Sequence, residues 1–145
     1  MIEEIEFEGK LFALISRCGC EQNGVNFVTS QDNPLQLGIL KHQQGVRLEP
    51  HIHRNTPRII NEVQEVLHIE YGELETEFYD EAGNKLGSVI LNTGDTILLI
   101  SGGHGFNILK DCKIVEVKQG PYSGVREDKE RLNTEIDSLR ISPNI

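Results

Sequence analysis

His51-Ile52-His53 sets two imidazoles two positions apart. In an extended stretch, side chains two apart leave the same strand face, so both rings can turn toward one ion. Glu65 opens the next apolar run, and His104 follows the Gly94-Asp95 turn and the run 96–100, adding a carboxylate and a third imidazole. Three neutral imidazoles and one carboxylate suit a borderline divalent metal such as Fe, Mn, Ni, Cu or Zn, whereas calcium takes more oxygens. Arg54 and Arg58 follow the histidine pair closely. A guanidinium there can clamp a substrate carboxylate or phosphate, or form a surface salt bridge with Glu62 or Glu49.

Other side chains carry less. His68 stands three after Glu65 and so falls on the opposite strand face, and His42 precedes a Gln-Gln-Gly turn and reads as solvated. Tyr71 and Tyr79 read as packing residues with a hydrogen-bonded tip, with acid or base service open to either one aimed at the site. Gly102, Gly103 and Gly105 surround His104, but glycines with no helix after them do not make a phosphate loop. Cys18, Cys20 and Cys112 are an odd set that reads as reduced thiols, and a lone C-x-C is a weak metal signal.

The elements that must position these residues are short. Apolar or alternating runs at 10–16, 26–29, 35–42, 46–53, 65–71, 73–79, 85–91, 96–100, 105–109 and 113–118 alternate with Gly, Asn, Asp and Pro, the pattern of strands and turns. Asp80-Glu81-Ala82-Gly83-Asn84 reads as a hairpin connection and Asn92-Thr93-Gly94-Asp95 as a second tight turn. Strands at this spacing without crossover helices predict an all-β antiparallel barrel or sandwich. In the run 73–79 the acidic residues share one face and Leu74, Thr76 and Phe78 the other, so one side should be wet. After Gly120-Pro121, Val125, Leu132, Ile136 and Leu139 fall at helical spacing and predict a short C-terminal helix over about 124–140.

The chain has 145 residues, the length of a single domain, with the barrel expected at about 26–118. Its net charge of −9 repels phosphate backbones and anionic lipid heads, so nucleic acid and membrane surfaces are excluded as favoured partners. No apolar run is long enough to span a bilayer, and the acidic N-terminus lacks a signal-peptide pattern, which predicts a cytoplasmic protein.

The order of these residues resembles the cupins. Gly45, five residues, His51-Ile52-His53, then Glu65, six residues and Gly72 are similar to both ends of the first cupin motif, with an inserted loop at 54–64 in the middle. The stretch from Gly94-Asp95 through Gly102-Gly103-His104-Gly105-Phe106-Asn107 is similar to the second, without its proline and one residue shorter before the histidine. The resemblance covers 35–118 and implies a double-stranded β-helix, a jelly-roll barrel, in which His51, His53, Glu65 and His104 ligate the metal, Glu62 being the competing carboxylate. The closing stretch Val117-Lys118-Gln119-Gly120-Pro121-Tyr122 looks like that of small single-domain cupins from bacterial surface-polysaccharide pathways. That likeness implies a metal-dependent isomerase or epimerase acting on a small polar molecule such as a sugar or nucleotide sugar. Two alternatives stay open, an Fe(II)-dependent dioxygenase on the same ligands and a non-catalytic small-molecule binding module. The same resemblance, together with the exposed edge any open barrel leaves, implies a homodimer.

Overall fold

The structure is a computed structural model that describes residues 1–20, 22–121, 124 and 129–132. Its strands are β1 (Ile2–Phe7), β2 (Lys10–Ser16), β3 (Gly24–Phe27), β4 (Gly38–Lys41), β5 (Glu65–Tyr79), β6 (Lys85–Asn92), β7 (Thr96–Leu99) and β8 (Gly103–Lys118). Every pairing is antiparallel, and among the described residues there is no helix, hence none long and apolar enough to cross a membrane. The expected all-β antiparallel class is what forms. Of the expected C-terminal helix, only 124 and 129–132 are described, and they are not helical; the rest of 124–140 lies outside the described residues.

The main sheet runs β1-β2-β7-β5-β6, with β8 also on β5, and β3 pairs β4 in a separate hairpin. Along one edge β5 meets β7 at its start and β6 at its end, while β8 follows its other edge throughout. The long strand does not stay flat. Glu65, Leu67 and Ile69 are buried on odd positions, and Leu74, Thr76 and Phe78 on even ones, so the inward face changes parity near Gly72. The ladder to β8 shifts register there, and Gly72 has φ +104°, where a Cβ would collide with Cys112 and with the Asp111 carbonyl. Only glycine lets the two long strands fold over at that point.

The fold-over places the sheet's halves face to face. Phe12, Ala13 and Ile15 from β2 and Ile97 and Leu99 from β7 pack with Leu67, Ile69, Leu74 and Phe78 of β5 and Leu91 of β6. Phe12 meets Phe78 across the core at 6.4 Å between ring centroids, and Phe7 meets Phe12 edge-on at 5.2 Å. The result is a strongly curled antiparallel sheet, a half-barrel.

The connections predicted at 80–84 and 92–95 form. Asp80 accepts the N–H groups of Ala82 and Asn84 through Oδ1 at 2.9 and 2.8 Å, and the 80–84 chain reversal joins β5 to β6. Asp95 is buried and accepts from the N–H groups of Cys18 (2.8 Å) and Asn92 (3.0 Å) and from Arg17 Nη1 (2.9 Å). Arg17 also grips Glu3 with two hydrogen bonds, at 3.0 and 2.8 Å, so one guanidinium joins β1, the end of β2 and the β6–β7 turn.

Three sequence expectations need correction. The runs 65–71 and 73–79 are one strand, and 105–109 and 113–118 are likewise one strand, because the parity change at the fold-over reads as a break. The stretch 46–53 is not a strand: it is exposed, has no ladder partner, and contains Pro50, which cannot donate to one. β1 was not expected, its alternation being interrupted by Glu3-Glu4 and by a bulge between Ile5 and Glu6.

Candidate acid–base site

Glu65, the first residue of β5, points inward with Leu67 and Ile69 and is buried. Its position is fixed by the residue before it. Gln64 is fully buried, donates its backbone N–H to Gln119 Oε1 at 2.8 Å, and exchanges a reciprocal pair of amide hydrogen bonds with Asn33 at 2.9 and 3.1 Å. The start of β5 is thereby tied both to the connection between β3 and β4 and to the segment leaving β8.

His104, the second residue of β8, is in ladder register with Phe78, thirteen positions along β5 from Glu65. A flat strand would separate those positions by about 43 Å. Because the sheet folds over, His104 Nε2 lies 3.2 Å from Glu65 Oε2. Lys118, directly opposite Glu65 in the ladder, brings Nζ to 3.7 Å from Oε1. The hydrogen bond with His104 is the main influence holding the Glu65 carboxyl below its ordinary 4.5; burial opposes it, and the charges of His104, Lys129 and Lys118 reinforce it. The carboxylate is ionised at neutral pH, and Nε2–H of His104 donates to it. Nδ1 is then the nitrogen left to accept or deliver a proton.

The pair opens into a cleft of about 870 Å³ that Tyr79, Ser101, Lys129 and Arg131 also line. That volume is in the range of small-molecule sites. Tyr79 is buried, donating its hydroxyl to Glu77 Oε2 at 2.8 Å, and Lys85 Nζ holds Glu77 Oε1 at 2.6 Å. The glycines around His104 serve packing. A Cβ on Gly102, at φ +72°, would strike the Phe12 ring, and one on Gly103 would strike Leu132.

Of the expected metal ligands, the structure brings Glu65 and His104 together. His51 and His53 form a second pair, their rings 5.1 Å apart, on the exposed irregular stretch, with His51 Nδ1 3.0 Å from the Glu49 carbonyl. The donor types suit a divalent transition metal, but they stand as two pairs, and among the described residues no three of His, Cys, Asp and Glu converge on a point where an ion would sit. Arg54 and Glu62 are exposed, and Arg58 lines a separate hollow of about 420 Å³ with Asp32, Asn33 and Gln36. The cations at the main cleft are Lys129 and Arg131 instead, with Lys118 beside Glu65. Lys118 had a readable signal: on the C-terminal half of β8 it keeps the inward parity of Ile114 and Glu116, in register with Ile69 and Leu67. His68 is exposed as expected, with Nδ1 2.9 Å from Thr96 Oγ1.

The chain matches no family model, no curated protein and no solved structure. The site's chemistry therefore has to be read from its own geometry.

Proposed function

We propose that the chain is a cupin-like enzyme that moves a proton on a small polar substrate, in the manner of a sugar isomerase or epimerase. The observation that carries this reading is a buried, ionised carboxylate hydrogen-bonded to an imidazole at the wall of a cleft large enough for such a molecule. Glu65 holds the ring and its tautomer, and stabilises the imidazolium that forms when Nδ1 takes a proton from a carbon next to a substrate carbonyl. Tyr79, on the same cleft, is the second group able to hand over a proton, its hydroxyl relayed to Glu77 and Lys85. Lys129 and Arg131 at the rim favour a substrate carrying a phosphate or carboxylate.

The cupin resemblance implies a divalent transition metal on His51, His53, Glu65 and His104; of these only Glu65 and His104 stand together here, and the other two would have to be brought to them. Bound there, it would polarise substrate oxygens. The proton steps above belong to the chain's own residues.

The test is a screen of sugar phosphates and nucleotide sugars for deuterium uptake from D₂O, followed by NMR. Glu65→Gln and His104→Ala should each slow exchange by roughly 10²–10⁴-fold with little change in KM. Wild-type exchange in both variants would defeat the proposal. A melting temperature raised by a sugar that never exchanges a proton would instead indicate a binding module. Elemental analysis of wild type and His51→Ala decides whether the exposed histidine pair serves the site.

A further inference from the structure

Away from the cleft, Cys18-Gly19-Cys20 sets two thiols on either side of one glycine. The chain turns sharply there as it leaves β2. Cys20 donates its backbone N–H to the Arg17 carbonyl at 3.0 Å, and Gly19 takes the third position of that turn with φ +82°, so residues 17–20 form a type II β-turn. Any residue with a Cβ is strained at that φ, which is why glycine separates the two cysteines. Both thiols are free, Cys18 exposed and Cys20 half-buried.

The turn brings the attachment points of the two sulfurs within bonding range. Two steps of fully extended chain span about 7 Å between Cα atoms, at the outer limit of the roughly 4.4–6.8 Å over which disulfides form. The reversal at Gly19 shortens that span into the window, so the bond closes by side-chain rotation with the backbone left in place.

The surrounding structure holds the turn in this shape. Cys18 donates its backbone N–H to Asp95 Oδ1 at 2.8 Å, and Asp95 also takes the guanidinium of Arg17, the residue whose carbonyl closes the turn. Gly94 makes room for the first thiol. A Cβ at that position would lie 2.6 Å from Cys18 Sγ, so the β6–β7 turn accommodates the sulfur because position 94 carries no side chain. These contacts stand at the Thr96 end of β7, whereas the cleft lies at its Leu99 end. The thiol pair is therefore a separate place on the molecule.

We propose that Cys18 and Cys20 are a reversible dithiol–disulfide couple that exchanges with small disulfides of the glutathione class. The thiolate of the exposed Cys18 attacks one sulfur of the small disulfide, forming a mixed disulfide and releasing one small thiolate. The Cys20 thiolate then attacks Cys18 Sγ, closing the bond between the two cysteines and releasing the second small thiolate. Both protein thiols are oxidised, the small disulfide is reduced to two thiols, and the two cysteine protons pass to the two leaving thiolates. A ring that spans a single glycine removes little chain entropy, and an exposed disulfide is readily reduced, so the bond serves exchange rather than holding the fold. Cys112 stands apart on β8, against Gly72 at the fold-over, and takes no part.

Equilibrating the full chain anaerobically in mixtures of reduced and oxidised glutathione tests this, with thiol counting and peptide mass mapping after an acid quench. As the oxidised fraction rises, two of the three thiols should disappear together. The peptide holding Cys18 and Cys20 should lose the mass of its two thiol hydrogens, Cys112 should stay titratable, and dithiothreitol should restore the full count. Cys20→Ser should halt at the first step and retain one glutathione on Cys18, whereas Cys112→Ser should behave as wild type. If circular dichroism shows Cys20→Ser to be unfolded, the wild-type mass map decides alone. Three titratable thiols at every glutathione ratio overturn the proposal. So does glutathione retained on the wild-type pair, or a disulfide that joins two chains or includes Cys112. None of these readouts involves the cleft, so the outcome is independent of the proton-transfer reading.

Discussion

Glu65 and His104 show what a single side chain's environment can add to its chemical type. Glu65 was legible as a candidate because it opens an apolar run, and His104 because it follows a Gly-Asp turn and a strand. Their meeting was not legible from the residues alone, since it depends on a fold-over between positions far apart on β5. The histidine pair shows the opposite case. Its spacing is as suggestive as any in the sequence, but nothing local states whether 46–53 finds a ladder, and Pro50 removes a donor it would need. Thr76 supplies a prediction at this scale. It is fully buried between Leu74 and Phe78, and its Oγ1 has no hydrogen-bond partner among the described residues. An unpartnered buried hydroxyl costs roughly 1–3 kcal/mol, and Val has nearly the same shape. Thr76→Val should therefore raise stability by about 1 kcal/mol in urea unfolding. A loss of comparable size would mean that the hydroxyl has an acceptor in solution.

At the scale of elements, the alternation of 73–79, the strand 10–16 and the turns 80–84 and 92–95 were readable because each is decided by local chemistry. Side-chain period fixes which face of a strand is buried, and Asp, Asn and Gly fix the turns. What was not readable is the continuity of β5 and β8, because a parity change in mid-strand looks like two strands. Gly72 is the device that joins them. An l-residue there would need φ near +104° and would push its Cβ into Cys112 and the Asp111 carbonyl, both on the paired strand, so neither can yield without breaking the ladder. Gly72→Ala should cost on the order of 3 kcal/mol or leave the chain unfolded. By contrast Gly45→Ala, at a positive φ with no atom near its Cβ, should cost only the backbone strain of about 1 kcal/mol. Equal losses in the two variants, measured by chemical denaturation, would show that the contact at the fold-over is not what demands glycine.

For the whole molecule, the half-barrel is closed at separate points by carboxylates held below their ordinary range. Glu3 is lowered chiefly by its hydrogen bond with Arg17, and Glu65 by that with His104, each from 4.5. For Asp95 burial is the largest influence and pushes the group up, but the N–H groups of Asn92 and Cys18 and the Arg17 guanidinium together outweigh it and leave it below 3.8. A group whose folded pKa is depressed binds its proton more readily when unfolded, so its contribution is fully present above the unfolded value and disappears as pH falls through the folded one. Stability should thus be level from neutral pH down to about 5 and then decline steadily below about 4. Glu3 and Asp95 share one partner, which makes the effect separable. Arg17→Met removes that partner, so both carboxyls should titrate at higher pH and the acid-unfolding midpoint should move upward, while the melting temperature at neutral pH also drops. The buried Asp95 then stands without a cation, an arrangement worth about 3 kcal/mol of lost stability, or a fall of roughly 10 °C for a chain of this length. Fluorescence- or dichroism-monitored melts of both proteins between pH 2 and 8, with ~ unit spacing, would check this, and an unchanged acid midpoint in Arg17→Met would show that the closure does not depend on the guanidinium.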